Sequence, residues 1–264
     1  MKLIIDSHIH IYGFHQTHVT LESLVTNLSA LSAEALAVAC LTESADCHVF
    51  DELKTQSDPE VARRFNIDYR DGALELKANT PDKTQGPSLI LLPGQQIITQ
   101  NNLEVLSLAT SERIENRLDE AETISRVLAA GGVPVVAWSV GKWFGRRGKI
   151  VNQLLDDFRP DQFVLGDTLL RPIGWATPII MRRAQKKGFK VLCGSDPFPL
   201  GGEEVQAGRY ASLIDFDPES QTPSQAIQNL LNSPSQPNSV GRRGSVFSTL
   251  RRIFLNDRNR KSSA

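Results

Sequence analysis

Residues 3–10 read Leu3-Ile4-Ile5-Asp6-Ser7-His8-Ile9-His10, and this stretch sets the reading of the whole chain. The aliphatic run at its head reads as a strand buried on both faces, as strands of parallel sheets are. Two histidines follow at alternate positions. In extended backbone, residues i and i+2 point to the same side. His8 and His10 therefore present two imidazoles together at the C-terminal end of the strand. Imidazole is a ligand for zinc, iron and other borderline metals, and in a βα barrel that end of the strands carries the site. Two surface histidines are the plain alternative for an isolated His-x-His.

Six further apolar runs follow along the chain: Ala35 to Leu41, Ser88 to Leu92, Leu103 to Leu108, Val133 to Trp138, Gln162 to Gly166 and Phe189 to Cys193. Amphipathic stretches separate most of them, at residues 20–33, 119–130, 150–158 and 178–187. Seven buried runs alternating with helices predict a parallel α/β fold, closed or nearly closed as a barrel. No glycine-rich phosphate fingerprint follows the first strand, which argues against an open nucleotide-binding sheet. Pro93-Gly94 reads as a turn ending the third strand. Between residues 58 and 87 the alternation breaks. There Asp71-Gly72 lies between two strand-like runs and predicts an inserted hairpin at about 62–80, a candidate lid.

With 264 residues, 40% hydrophobic and 22% charged, the chain has enough apolar material for a sizeable core. No apolar run reaches the roughly 18 residues of a membrane span, and the N-terminus lacks the pattern of a secretory signal. Three cysteines, Cys40, Cys47 and Cys193, lack metal-type spacing and fit a reducing cytosol, so the expectation is a cytoplasmic protein. Residues 232–264 carry seven Lys or Arg against one acid, whereas the rest carries 22 against 29. The body thus has no nucleic-acid signature. Two domains are expected: a barrel over 1–231 and a basic tail over 232–264. Residues 232–245 read as a linker. Val246, Phe247, Leu250, Ile253 and Phe254 then share a helical face beside Arg251 and Arg252. That helix is expected to dock on the barrel; a disordered tail, or a helix meeting a membrane or a protein partner, are the alternatives.

Gly194-Ser195-Asp196 closes the last run and places a carboxylate on the rim, next to the first strand if the barrel closes. A helix N-cap is its plain reading. His8, His10 and Asp196 together would be three protein ligands with an open position, the arrangement of a catalytic metal site. The segment Trp138-Ser139-Val140-Gly141-Lys142-Trp143-Phe144-Gly145-Arg146-Arg147-Gly148-Lys149 concentrates bases and aromatics after the fifth run. Lys142, Arg146, Arg147 and Arg171, with Trp143, are candidates for binding an anionic group. Pairing with local acids and a core role for Trp143 are the alternatives. Asp167 could serve as ligand, general base or partner to Arg171. His15 is close enough in sequence to His10 to reach the rim, while His18 and His48 read as surface or capping residues.

These motifs, in this order, resemble the PHP (polymerase and histidinol phosphatase) family over residues 1 to about 215. The resemblance rests on Asp6-Ser7-His8-Ile9-His10, Leu41-Thr42-Glu43, Pro93-Gly94-Gln95-Gln96, Leu103 to Leu108 and Gly194-Ser195-Asp196. It implies a distorted seven-stranded (β/α) barrel and a metal-dependent phosphoesterase using metal-activated water on an anionic, phosphorylated substrate. His8, His10 and Asp196 would be the ligands, and Glu43 or Asp167 would relay protons. Ser44, Gln96, Trp138 and Phe198 stand where the family carries further ligands. That implies a single Zn, Mn or Fe ion rather than a cluster. It also leaves open a barrel without metal that binds an anionic metabolite, or an interaction protein using its basic tail. Amidohydrolase-like metal-dependent hydrolases are a more distant resemblance, through the same opening His-x-His.

Overall fold

The computed structural model describes residues 1–79 and 88–262, with side chains described as far as residue 259. The C-terminal margin of the expected insertion, from residue 80, and the tail's last two residues lie outside the described residues.

Strand β1 (Lys2–Ile9) is followed by α1 (Thr17–Leu31) and β2 (Leu36–Glu43), which pairs with β1 in parallel. Two short helices, α2 (Val49–Thr55) and α3 (Pro59–Arg64), lead to the hairpin β3 (Phe65–Arg70) and β4 (Ala73–Ala78). Asp71 and Gly72 both have positive φ, 52° and 77°, as a two-residue hairpin turn of the primed type demands. β4 pairs with Ser88–Leu91, the N-terminal half of β5 (Ser88–Ile98). The hairpin therefore extends the sheet at the end of β5 away from the histidines, and it is not a lid over them.

Then come β6 (Glu104–Leu108), α4 (Glu120–Ala129), β7 (Val133–Ala137), α5 (Gly145–Asp157), β8 (Val164–Thr168), α6 (Ile179–Lys186) and β9 (Val191–Gly194). They are followed by β10 (Tyr210–Asp215), α7 (Pro223–Asn229), β11 (Asn238–Gly241) and α8 (Val246–Ser262). The sheet runs β11-β10-β1-β2-β5-β6-β7-β8-β9, so the chain is a mixed α/β protein with a nearly closed, barrel-shaped sheet.

Three expectations need correction. Among the described residues the sheet has eleven strands rather than seven, because β10 and β11 join it at β1 and the hairpin strands join it at β5. β10 and β11 are short and antiparallel, and β11 is an exposed edge strand with almost no apolar signal, lying inside the expected linker. The sheet is also not all parallel: β6 runs antiparallel to both β5 and β7. Only residues 99–103 join β5 to β6, too short for the crossover that a parallel pair requires. Finally, Pro93-Gly94 does not end β5. β4 leaves β5 at Leu91 and β6 takes over at Gly94, so Pro93 sits at the handover where a missing N–H costs little. A Cβ on Gly94 would stand 2.5 Å from the Ser107 carbonyl oxygen, so only glycine allows β6 this close.

The strands feed separate apolar layers. From β1, Leu3 and Ile5 point into a core with Val38, Cys40, Leu92 and Val135, whereas Ile4 packs outward against Leu24 and Leu28 of α1. Trp143, Val151 and Leu155 pack on the opposite side of the sheet with Phe163 and Phe189. Alternate burial on both faces explains why the β-runs read as continuously apolar. The three cysteines are free thiols, Cys40 and Cys193 buried.

α8 docks on the barrel, but not by the face its apolar residues predict. Thr249 and Arg252 are buried, while Phe247, Leu250 and Phe254 face solvent. The Arg252 guanidinium is the anchor: Nε donates to both oxygens of Glu203 (2.9 and 3.0 Å), and Nη2 bonds the same carboxylate. A buried ion pair outweighs an apolar stripe here because Glu203, itself buried, requires a counter-charge.

Candidate functional site

Closure of the barrel is made by β1 meeting the end of β9, and the candidate site is assembled at that seam. β1 carries one extra residue against β2, since Asp6 stands opposite Ala39 and Ile9 opposite Leu41. Asp6 secures this irregular stretch. Its Oδ1 accepts from the backbone N–H of His8 (3.2 Å) and Ser195 (2.9 Å). Its Oδ2 accepts from Ser195 Oγ (2.5 Å) and the Gly208 N–H (2.9 Å). Burial pushes the Asp6 carboxyl up to about 7, against the pull of these donors. Asp6 is thus a clamp between β1 and the segment after β9, not a wall of the cavity.

Ser7 Oγ donates to the Cys193 carbonyl (3.0 Å), and the Asp196 N–H donates to the His8 carbonyl (2.9 Å). Gly194 makes this approach feasible: a Cβ there would lie 2.5 Å from His8 Cβ. Asp196 adopts left-handed backbone, φ 49°, which aims its carboxylate back at the histidines; Asp tolerates this region better than most residues.

The outcome is a compact set of donor atoms. His8 Nε2 and His10 Nε2 stand 2.9 Å apart, and Gln96 Oε1 is 3.2 Å from each. Asp196 Oδ1 lies 3.7 Å from His8 Nε2 and 3.9 Å from His10 Nε2. One ligand atom from each of His8, His10 and Asp196 falls within 4.8 Å of the others. Burial lowers His8 to about 4, with the positive charge of Lys142 adding to it. Burial, reinforced by His8, lowers His10 to about 3. Both rings are therefore neutral at neutral pH, the state in which imidazole ligates. Burial raises Asp196.

The donor set fits a divalent cation. Four lone-pair atoms converge, and Gln96 Oε1 and an ionised Asp196 can only accept. Ligands about 2.05 Å from a tetrahedral ion stand about 3.3 Å apart, close to the mean of these separations. One feature is atypical: His8 Nδ1 is buried without a hydrogen-bond partner among the described residues, whereas metal-bound histidines usually donate that N–H.

His10, Gln96 and Asp196, with His8 buried behind them, form the floor of a cavity of about 770 Å³, walled by Tyr12, Glu104, Lys142 and Arg147 and roofed by Ile253 and Asp257 of α8. Lys142 reaches Glu104 as an ion pair at the wall. Arg147 follows on the first turn of α5, with Nη2 on the Gly141 carbonyl (3.0 Å).

Several sequence candidates lie elsewhere. Glu43 is taken up by the Phe50 N–H (2.9 Å) and by Arg113, so neither oxygen faces the cavity. Asp167 and Arg171 form a buried bidentate pair, Nε to Oδ1 at 2.8 Å, with Tyr210 Oη donating to Asp167 (2.9 Å). Neither residue lines the cavity. Trp143 is buried in the core, its indole N–H on the Ala137 carbonyl (3.1 Å). Arg146, one position before Arg147, is exposed and does not line the cavity. His15 is buried on the Leu200 carbonyl (3.0 Å), His48 is exposed, and neither lines the cavity.

Tyr12, Arg117 and Asn102 are among the cavity residues that escaped the sequence reading. Tyr12 lies two positions beyond His10 and packs against it with the rings tilted, centroids 5.4 Å apart, so the alternation that pairs the histidines could have found it. Arg117 and Asn102 come from loops without a motif; Arg117 Nη1 donates to Asn102 Oδ1 (2.8 Å) at the cavity wall.

No protein-family model matches the chain, and no curated protein matches it by sequence. Solved structures do resemble it. PsfC from Pseudomonas syringae PB-5123 superposes with a TM-score of 0.58 at 13% identity, over 100% of this chain and 99% of that one. The lesion-specific endonuclease PfuEndoQ from Pyrococcus furiosus superposes with a TM-score of 0.47 at 11% identity, over 90% of this chain and 58% of that one. An Endonuclease Q complex with a 27-mer duplex carrying an abasic lesion gives 0.48 at 11%, with the same coverage. The likeness to PsfC, end to end, is one of fold.

Proposed function

We propose that this chain is a metal-dependent hydrolase of the PHP type acting on a small anionic, phosphorylated substrate. The observation that carries the reading is the convergence of His8, His10, Gln96 and Asp196, the last three on the floor of a cavity whose wall holds Lys142, Arg147 and Arg117. His8, His10 and Asp196 would hold one divalent ion, with Gln96 Oε1 as a neutral fourth donor. A bound ion of this kind supplies Lewis acidity and a more acidic water.

The chain's own residues supply the rest. Arg117 and Arg147 have neutral oxygen partners, which leaves guanidinium N–H groups to bind phosphate oxygens. Asp196 keeps a second carboxylate oxygen that can accept a proton from an incoming nucleophile. Glu104, held against Lys142, orients that ammonium across the wall rather than into bulk water. Glu43 and Asp167, committed to Arg113 and Arg171, take no part in proton relay.

Gln96 also motivates a second reading. An amide contributes no charge where a carboxylate would bind a cation more tightly, so the barrel could retain anion binding without turnover. One experiment separates the two: elemental analysis of the purified chain and of His10→Ala and Asp196→Ala, followed by a panel of phosphomonoesters and phosphodiesters. The hydrolase reading expects about one ion per chain, lost in both variants, and turnover that follows it. Metal-free protein after reconstitution with Zn, Mn and Fe overturns that reading. Metal with saturable phosphate-ester binding but no turnover selects the second.

A further inference from the structure

α8 has two opposite faces. Thr249, Arg252, Ile253 and Asn256 recur at helical spacing on the face against the barrel, where Arg252 binds Glu203. Phe247, Leu250, Arg251 and Phe254 recur at the same spacing on the other face. There Phe247 is 79%, Leu250 59% and Phe254 65% exposed. An aromatic and aliphatic stripe left open to water on a helix already anchored by its other side is not needed for folding.

Two further exposed apolar residues lie near the start of the helix. The Ile173 N–H donates to the Gly244 carbonyl (2.8 Å), and Arg243 reaches the Trp175 carbonyl (3.4 Å). Ile173 and Trp175, both exposed, thus stand beside the start of α8. The same region carries the chain's positive charge: Arg242, Arg243 and Arg251 lie along it, and residues 232–264 hold seven bases against one acid.

We propose that the outer face of α8, with Ile173 and Trp175, is a docking surface for an anionic lipid bilayer. Arginines flanking aromatic residues on one face of an amphipathic helix match the interface between headgroup phosphates and acyl chains. No helix among the described residues is long and apolar enough to cross a membrane, so the helix lies on the surface. A second copy of the chain is the poorer occupant, since a two-fold contact through this face would set its arginines against one another. Docking by this face leaves the Arg252–Glu203 anchor and the cavity beneath α8 untouched, so the proposal stands independently of the catalytic reading.

The test is flotation of the full chain with vesicles of phosphatidylcholine alone and of phosphatidylcholine containing one-third phosphatidylglycerol. Alongside it run the Phe247→Ser/Phe254→Ser and Arg251→Glu variants, whose exposed positions leave the fold intact. The expected result is flotation with the anionic vesicles only, weakened at high salt and reduced about tenfold or more in both variants. Absence of flotation, or equal flotation with both vesicle types, overturns the proposal. So does a dimer in sedimentation that the Phe247→Ser/Phe254→Ser variant dissolves while flotation is absent, which assigns the face to a second copy.

Discussion

Replacing Gly194 by alanine tests the claim that the site exists because β1 and β9 touch there. The new methyl would stand 2.5 Å from His8 Cβ, 2.7 Å from His8 N and 3.0 Å from His8 Cα. Non-bonded carbons prefer about 3.5–4.0 Å, so the two strands must part by about 1 Å. Two of the three obstacles are backbone atoms that cannot rotate away. Overpacking of this kind costs about 1–3 kcal/mol. The displacement also exceeds the roughly 0.5 Å within which a ligand set must be held. His8 and Asp196 sit on opposite sides of the seam, so metal affinity should fall about tenfold or more. Urea unfolding of metal-free protein reads the first effect, and calorimetric titration with Zn or Mn reads the second. Gly13→Ala is the matched control, because nothing lies within 4 Å of a Cβ there. A Gly194→Ala protein within about 0.5 kcal/mol of the parent and with unchanged affinity would refute the seam argument.

Further predictions concern the same seam and its roof. Lowering the pH of metal-free protein from about 7.5 to about 5 should destabilise it relative to a His8→Asn/His10→Asn protein, a comparison that cancels Asp6, whose carboxyl, held up to about 7 when folded, adds stability over the same range in both. His8 and His10 stay neutral when folded, at about 4 and 3, but take up protons near 6.5 when unfolded, so their contribution to stability falls as pH drops below 6.5. The difference between the two proteins is about 2 kcal/mol for each ring at about pH 5, and parallel pH profiles of unfolding for parent and variant would contradict it. Asp6→Asn turns an amide N–H₂ toward donors that the carboxylate now accepts, and should cost about 1–3 kcal/mol in thermal or urea unfolding, with Gly208 left unpaired. Arg252→Met leaves the buried Glu203 carboxylate without its counter-charge. About 3–5 kcal/mol of local docking should be lost, and α8 should become the first site of limited proteolysis while the barrel stays intact.

The alternation of His8 and His10, the carboxylate after the ninth strand and the hairpin at Asp71-Gly72 were all legible in the sequence. Each depends on a local rule: the two-residue period of a strand, the position of a loop after a strand, and the positive φ that a tight hairpin requires. β11 was not legible, since the edge strand Asn238–Gly241 buries almost nothing and leaves no apolar pattern, whereas β10, buried over most of Tyr210–Asp215, carries a short apolar run that could have been read. The antiparallel course of β6 could have been read from the short connection after Ile98, had its length been weighed against the crossover rule.

Roles that depend on a partner were least legible. Glu43, Asp167, Arg171 and Trp143 have the right chemistry and lie near the ends of the right strands, yet each is engaged elsewhere, by Arg113, by each other and by the Ala137 carbonyl. Arg117 reaches the cavity from a loop whose path no local pattern specifies. The sequence by itself determined which segments bury both faces and which side chains emerge at their C-terminal ends, because backbone geometry repeats every two residues. Only the tertiary structure decided which of those side chains meet. An ion pair or a ligand set forms between residues such as His8 and Asp196, distant in the chain, and their distance is settled by packing, here by the missing side chain of Gly194.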